Sequence, residues 1–151
     1  MKIHYAIVNA FSREDGLEAL KKSFEALIPE GVSVSQEVLE PEEEGEVFTH
    51  KLYLLESRIE KSGAEDFFRR ITGSLDEYDR EELASGVEEH VDDDCIFYIR
   101  LSKREASGGR IVLDSRDCIH VKFKIAAYPA TRENTLNVIG ELMKDAGILR
   151  S

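Results

Sequence analysis

The hydrophobic pattern opens on Lys2–Phe11, where strand alternation places Ile3, Tyr5 and Ile7 on one side and His4, Ala6 and Val8 on the other. Both sets are nearly apolar, which predicts a strand buried on much of both faces. The period then lengthens. Leu17, Leu20, Phe24, Leu27 and Ile28 share one helical stripe, so an amphipathic helix is expected over 13–28, ended by Pro29-Glu30-Gly31. Ser12, with Asp15 three residues on, is its expected cap. A second strand follows over about 32–39, with Val32, Val34 and Val38 inward. Val47–Ile59 is β-branched and aromatic and reads as a third strand, although Leu52, Leu55 and Ile59 also fit a helical face.

Ser62 is the expected cap of a helix over 63–72, in which Phe67, Phe68 and Ile71 pack inward and which Gly73 closes. Ser74 or Asp76 opens another over roughly 76–90, with Leu75, Tyr78, Leu83 and Val87 toward the core. Strand alternation resumes at Phe97, Ile99 and Leu101, leaving Tyr98, Arg100 and Ser102 on the opposite side. Lys103–Ser107 is one helical turn released by Gly108-Gly109, Arg110–Leu113 a short strand, and Ser115-Arg116-Asp117 a turn. In the strand Cys118–Ala126, Ile119, Val121, Phe123 and Ile125 face the core, so His120, Lys122 and Lys124 share the other face. After Pro129, Thr131 or Asn134 caps a last helix through about Ala146, with Leu136, Ile139, Leu142 and Met143 as its buried stripe. Strands mixed with helices, with no internal repeat and no linker, predict one α+β domain over residues 1–151.

Length and composition agree with that reading: 151 residues, 42% hydrophobic and 34% charged, fit a single globular domain. No apolar run approaches the ~18 residues of a membrane span. Met1–Tyr5 does not read as a signal peptide, and with only Cys95 and Cys118 present, reduced core thiols and a cytoplasmic location are the expectation. Charge changes the picture more. The chain carries a net −11, yet Phe97–Lys124 holds seven basic residues (Arg100, Lys103, Arg104, Arg110, Arg116, Lys122, Lys124) against Glu105, Asp114 and Asp117. The overall balance argues against generic nucleic-acid binding, because phosphates reward positive charge. One local basic face on an acidic body is what remains.

Catalytic and metal-binding signatures are not found in the sequence. His4, His50, His90 and His120 are scattered, without an HExxH or CxxC spacing. Neither cysteine sits in a nucleophile motif, there is no GxSxG or SxxK, and Gly108-Gly109 lacks the rest of a phosphate loop. The acidic run Glu40–Glu46 lacks the ligand order of a calcium loop and reads as a solvated connection. The chain therefore reads as non-enzymatic, with no metal and no cofactor. The basic segment admits two readings. Its cations either pair with the acids of the helices, or form a binding face. In the second, Arg100, Lys122 and Lys124 track phosphates, Tyr98 offers a ring to an unpaired base, His120 lies on the same side, and Lys103, Arg104 and Arg110 supply a positive rim.

The run Phe97-Tyr98-Ile99-Arg100-Leu101-Ser102-Lys103, a glycine at 108 or 109, a short strand, and Asp117–Lys124 together resemble the core of a family of small archaeal proteins. That family is described as predicted RNA-binding proteins or predicted exosome subunits. The resemblance extends to the first strand, the helix opening near Ser12-Arg13-Glu14-Asp15, and the Glu44-Gly45 break. It departs at Arg104, where the family has a glutamine after the lysine. The resemblance implies a two-layer fold, a mostly antiparallel sheet covered by helices, like that of the large-subunit ribosomal protein that binds 5S ribosomal RNA. It further implies a homodimer that binds RNA as an accessory to RNA processing or degradation, in company with RNA-processing proteins. A dimeric protein-interaction scaffold is the alternative, and an enzyme on small phosphorylated substrates would need a concave pocket with convergent Arg, Lys and His.

Overall fold

The computed structural model describes residues 1–40 and 50–148. Five strands, β1 (Ile3–Ser12), β2 (Ser35–Leu39), β3 (Leu52–Glu60), β4 (Ile96–Ser102) and β5 (Cys118–Ile125), form one sheet in the order β2-β3-β1-β5-β4. Every neighbouring pair is antiparallel. The helices are α1 (Leu17–Leu27), α2 (Lys61–Ser74), α3 (Glu77–Ser85), α4 (Lys103–Ser107) and α5 (Arg132–Asp145). The fold is α+β, with the sheet packed against helices.

Period-two alternation decides which face meets the helices. Ala6, Val8 and Ala10 of β1, Leu55 and Ile59 of β3, Phe97, Ile99 and Leu101 of β4, and Ile119, Val121, Phe123 and Ile125 of β5 are all buried. They share one core with Phe24 and Leu27 of α1, Phe67, Phe68 and Ile71 of α2, and Ile139 and Met143 of α5. At its centre Phe68 meets Phe123 edge-on at 5.2 Å, and Phe67 and Phe97 lie about the same ring at 6.0 and 6.3 Å. A register shift between Ile3 and Tyr5 turns Ile3 inward beside Ala6, against simple alternation.

Polar groups fix the seams. Ser23 Oγ donates to the carbonyls of Ala19 and Lys103, tying α1 to α4. Arg70 donates to the carbonyls of Ala26 and Leu27, capping the end of α1. Thr131 Oγ1 accepts from Asn134 N and starts α5, as expected, and Asp76 caps α3 by accepting from Asp79 N.

Several local expectations are corrected. Ser12 belongs to β1, and α1 begins through a 3-10 turn, Glu14–Gly16, with no side-chain cap. Ser62 lies inside α2, which starts at Lys61 directly after β3 and runs past Gly73 to Ser74. The helix expected over 76–90 breaks at Gly86 into α3 and a 3-10 turn, Val87–His90. Tyr78 is 74% exposed rather than a core residue. The second strand begins at Ser35 rather than near 32, so Val34 lies before it and is exposed, and Val38 is exposed on what is a sheet edge. The short strand expected over 110–113 is reduced to one bridge, Leu113 to Leu101. The third strand stays extended to Glu60, and its expected start, with the acidic run before it, falls outside the described residues apart from Glu40. Two positions follow the expectation closely: α4 is the single turn read at Lys103–Ser107, and Gly109 after it takes φ +81°, a conformation that suits glycine.

Phe68→Ala is expected to lower stability by about 3–5 kcal/mol, since it empties the centre of the aromatic cluster. Tyr78→Ala is expected to change it by no more than about 0.5 kcal/mol. Chemical denaturation of both variants against the parent checks the pair.

Candidate nucleic-acid interface

The alternation that buries one face of the sheet sends the other residues to the opposite face. Directly paired residues of antiparallel strands point the same way, with Cβ atoms about 4.5–5.5 Å apart. Tyr98 of β4 therefore sits beside Lys122 of β5, Arg100 beside His120, and Ile96 beside Lys124. On the other side of β5, β1 places Ile7 next to Lys122, Asn9 next to His120, and Tyr5 next to Lys124. Beyond β1 come Glu60, Arg58 and Glu56 of β3. The face is thus cationic over β5 and β4, aromatic and apolar along β1, and mostly acidic over β3 and β2, where Glu37 joins Glu56 and Glu60.

Arg100 and Lys122 are exposed, and among the described residues neither makes an ion pair. The ion pairs formed by the basic segment, Lys103 with Asp117 at 2.6 Å and Arg110 with Glu105 at 3.5 Å, use acids of the segment itself. Lys124 Nζ donates to the carbonyl of Asp94, and Lys103 Nζ also donates to that of Phe11. His120 is held below the ordinary imidazole value of 6.5, first by burial and then by Arg100, Lys122 and Lys103. Burial likewise pushes the neighbouring Cys118 thiol up. Both cysteines are buried free thiols. On the β1 side, the Arg58 guanidinium lies 4.0 Å from the centre of the Tyr5 ring, and Phe11 is 44% exposed.

Of the eight residues expected to form a binding face, the sheet brings Tyr98, Arg100, His120 and Lys122 into one patch, and Lys124 continues it along β5. Lys103 reaches the edge of that patch but is engaged by Asp117. Arg104 and Arg110 are not part of it. α4 packs against α1, with Arg104 lining a groove beside Lys103, Arg116 and Asp117, and Arg110 lies with Arg70 and Asp76 around a separate groove. Tyr98 is partly committed, its hydroxyl donating to the Glu89 carbonyl at 3.0 Å. Tyr5, Asn9, Phe11 and Arg58 are members of the face that sequence reasoning missed. The signal for three of them was present: aromatic or polar residues alternating with small buried ones in β1.

The edge strand β4 is closed on its outer side in two pieces. Asp92 N donates to the Ile96 carbonyl and His90 Nδ1 to that of Tyr98, at 3.1 and 2.9 Å. Farther along, Asp114 N donates to the Arg100 carbonyl at 3.1 Å and Ser102 N to that of Val112 at 2.8 Å. The buried Asp79 carboxylate anchors the second piece by accepting from Leu113 N at 3.0 Å.

Comparison with known proteins places this geometry. RNA-binding protein PAB1135 of Pyrococcus abyssi (strain GE5 / Orsay) is 30% identical over 129 residues, 84% of either chain. Among solved structures, protein AF2318 from Archaeglobus fulgidus superposes with a TM-score of 0.80 at 24% identity, covering 93% of this chain and 99% of its own. Mth689 from Methanothermobacter thermautotrophicus, a DUF54 protein, gives 0.75 at 23% identity over 94% and 98%. Both structural likenesses speak for the fold. The RNA binding family model matches residues 5–125, from the third residue of β1 to the end of β5, and the chain belongs to that family.

Proposed function

We propose that this protein binds single-stranded RNA, without catalysing a reaction on it, through the sheet face that the helices leave uncovered. The observation that carries the reading is the exposed Arg100 and Lys122, which form no ion pair among the described residues, on the same face as the partly exposed rings of Tyr5 and Phe11. Cations on β5 and β4 attract phosphates, and rings on an open sheet stack unpaired bases, each stack worth about 1–3 kcal/mol. A duplex would offer the rings nothing to stack on. Glu37, Glu56 and Glu60 repel phosphates and confine the strand to β1, β5 and β4. With a net charge of −11 the protein binds modestly and with steep salt dependence. The wider reading is an accessory role beside RNA-processing or RNA-degrading proteins, with the protein as a cytoplasmic homodimer. A nuclease-treated pull-down and mass against concentration test it.

The triple variant Arg100→Ala, Lys122→Ala, Lys124→Ala is expected to weaken binding of single-stranded RNA and to reduce the log–log salt slope by about 2, at ~0.7 per lost phosphate contact. Tyr5→Ala is expected to weaken single-strand binding by about 1–3 kcal/mol and leave duplex binding unchanged. Fluorescence anisotropy across ionic strength measures both. Absence of salt-sensitive binding to single-stranded RNA by the parent protein at low ionic strength sinks the proposal.

His120 adds a pH dependence. Its folded value lies below 6.5, so the unfolded chain binds more protons in the window just below that value, and stability falls as pH drops through it. A phosphate beside His120 favours the charged ring, so RNA affinity moves the other way and rises over the same window. His120→Gln is expected to flatten both slopes, read by denaturation and by anisotropy between neutral and mildly acidic pH.

A further inference from the structure

We propose that the groove at the outer edge of β4 is a subsite selective for guanine, an inference that rests on the RNA reading of the adjoining face. The groove exists because the two pieces that close the β4 edge leave a gap of about 480 Å3 between them. Tyr98 and Arg100 line it from β4, Glu82 from α3, Glu89 and His90 from the 3-10 turn, and Asp114 from the strand-like segment opposite. It opens onto the cationic patch, since Tyr98 is the cross-strand partner of Lys122 and Arg100 that of His120. A strand whose backbone lies on Lys122 has a base within reach of the gap.

The chemistry of the lining selects that base. Arg100 shares the groove with three carboxylates, yet none of their oxygens comes within 4.0 Å of its guanidinium. Donor and acceptors stand apart, which suits a flat group that presents acceptors on one edge and donors on another. His90 donates through Nδ1 to the Tyr98 carbonyl, which leaves its Nε2 free of that bond. Asp114 uses Oδ1 for Arg116 N at 3.0 Å and keeps Oδ2. Guanine offers the acceptor pair O6 and N7 to an arginine fork and the donor pair N1–H and N2–H2 to a carboxylate. Adenine and cytosine each carry a single amino donor, and uracil one N–H between two carbonyls. Only in an unpaired guanine are both edges free, which agrees with a single-stranded target.

The test compares anisotropy titrations of a uridine-only oligonucleotide with the same strand carrying one central guanosine, and with inosine in its place. One guanosine is expected to tighten binding about tenfold, and inosine, which lacks the N2 amino group, to recover only part of that. Glu82→Gln with Asp114→Asn is expected to abolish the preference while uridine-only binding is retained or strengthened, since two phosphate-repelling charges are removed. Equal affinity for the first two strands, or a preference that survives both substitutions, overturns the subsite while leaving RNA binding intact. Should no oligonucleotide bind, the RNA reading fails by itself, and guanosine monophosphate decides the groove. Shifts of the Asp114 and Ser115 amide signals with this nucleotide and not with AMP, CMP or UMP uphold the groove, and no shift overturns it.

Discussion

The one-sided burial of the sheet is the constraint on which the remaining structure depends. Phe68, wedged against Phe97 and Phe123, draws α2 onto one face, and α1 and α5 complete the same layer. Their apolar stripes are consumed there. Nothing is left among the described elements to cover the other face, so its residues are released from packing and free to carry charge and exposed rings. Burial of a large aromatic side chain contributes about 1.5–3 kcal/mol, more than a surface ion pair of at most about 1 kcal/mol. The core therefore holds whatever polar pattern the open face adopts, and a functional face costs the fold little.

The two edges of the sheet are treated differently, and this shapes the molecule. An unpaired edge invites pairing with another chain. β4, which carries the cations, has its outward groups bonded to His90, Asp92, Val112 and Asp114. Among the described residues β2 has no such cover: it is five residues long, all but one exposed, with Glu37 at its middle. A short edge with a central acid resists self-pairing by repulsion, whereas β4 resists by being occupied. The closure of β4 has to be made from the chain on both sides of it, 90–92 and 112–114, and two separate pieces leave a gap where they fail to meet.

Much of this was legible along the chain because period two is a local signal. Phe97, Ile99 and Leu101, and Ile119, Val121, Phe123 and Ile125, are buried as their spacing indicates, and Arg100 and Lys122 are exposed for the same reason. The failures that matter for the open face have a non-local cause. β1 looked buried on both sides because Tyr5, Ile7 and Phe11 are apolar, but whether a second layer exists is decided by where the helices go. The register shift after Ile3 reverses the side of that residue, and a bulge is a property of strand pairing rather than of one strand's sequence. Arg104 and Arg110 are close to Arg100 in the chain, yet α4 turns the backbone into the helical layer before reaching them. Proximity in sequence carried over only where the chain stayed extended.

Distance reconciles a cationic site with a net charge of −11. At physiological ionic strength, interactions between exposed charges are screened beyond about 8 Å. A phosphate resting on β5 at Lys122 has Tyr98 and Ile7 as cross-strand neighbours, with His120 and Arg100 the next pair along that face. Acids flank the face on two sides: those of β3, two strands away from β5, and Glu82, Glu89 and Asp114 in the groove beyond β4. Their influence is directional: they do not cancel the cations but bound them on both sides, so a polyanion is held over the cations of β5 and β4 between them. The far field of the acidic body slows encounter, and the near field orients what arrives. Short-range contacts, not bulk attraction, must then supply the affinity, and rings on β1 beside the cations of β5 are where such contacts are available.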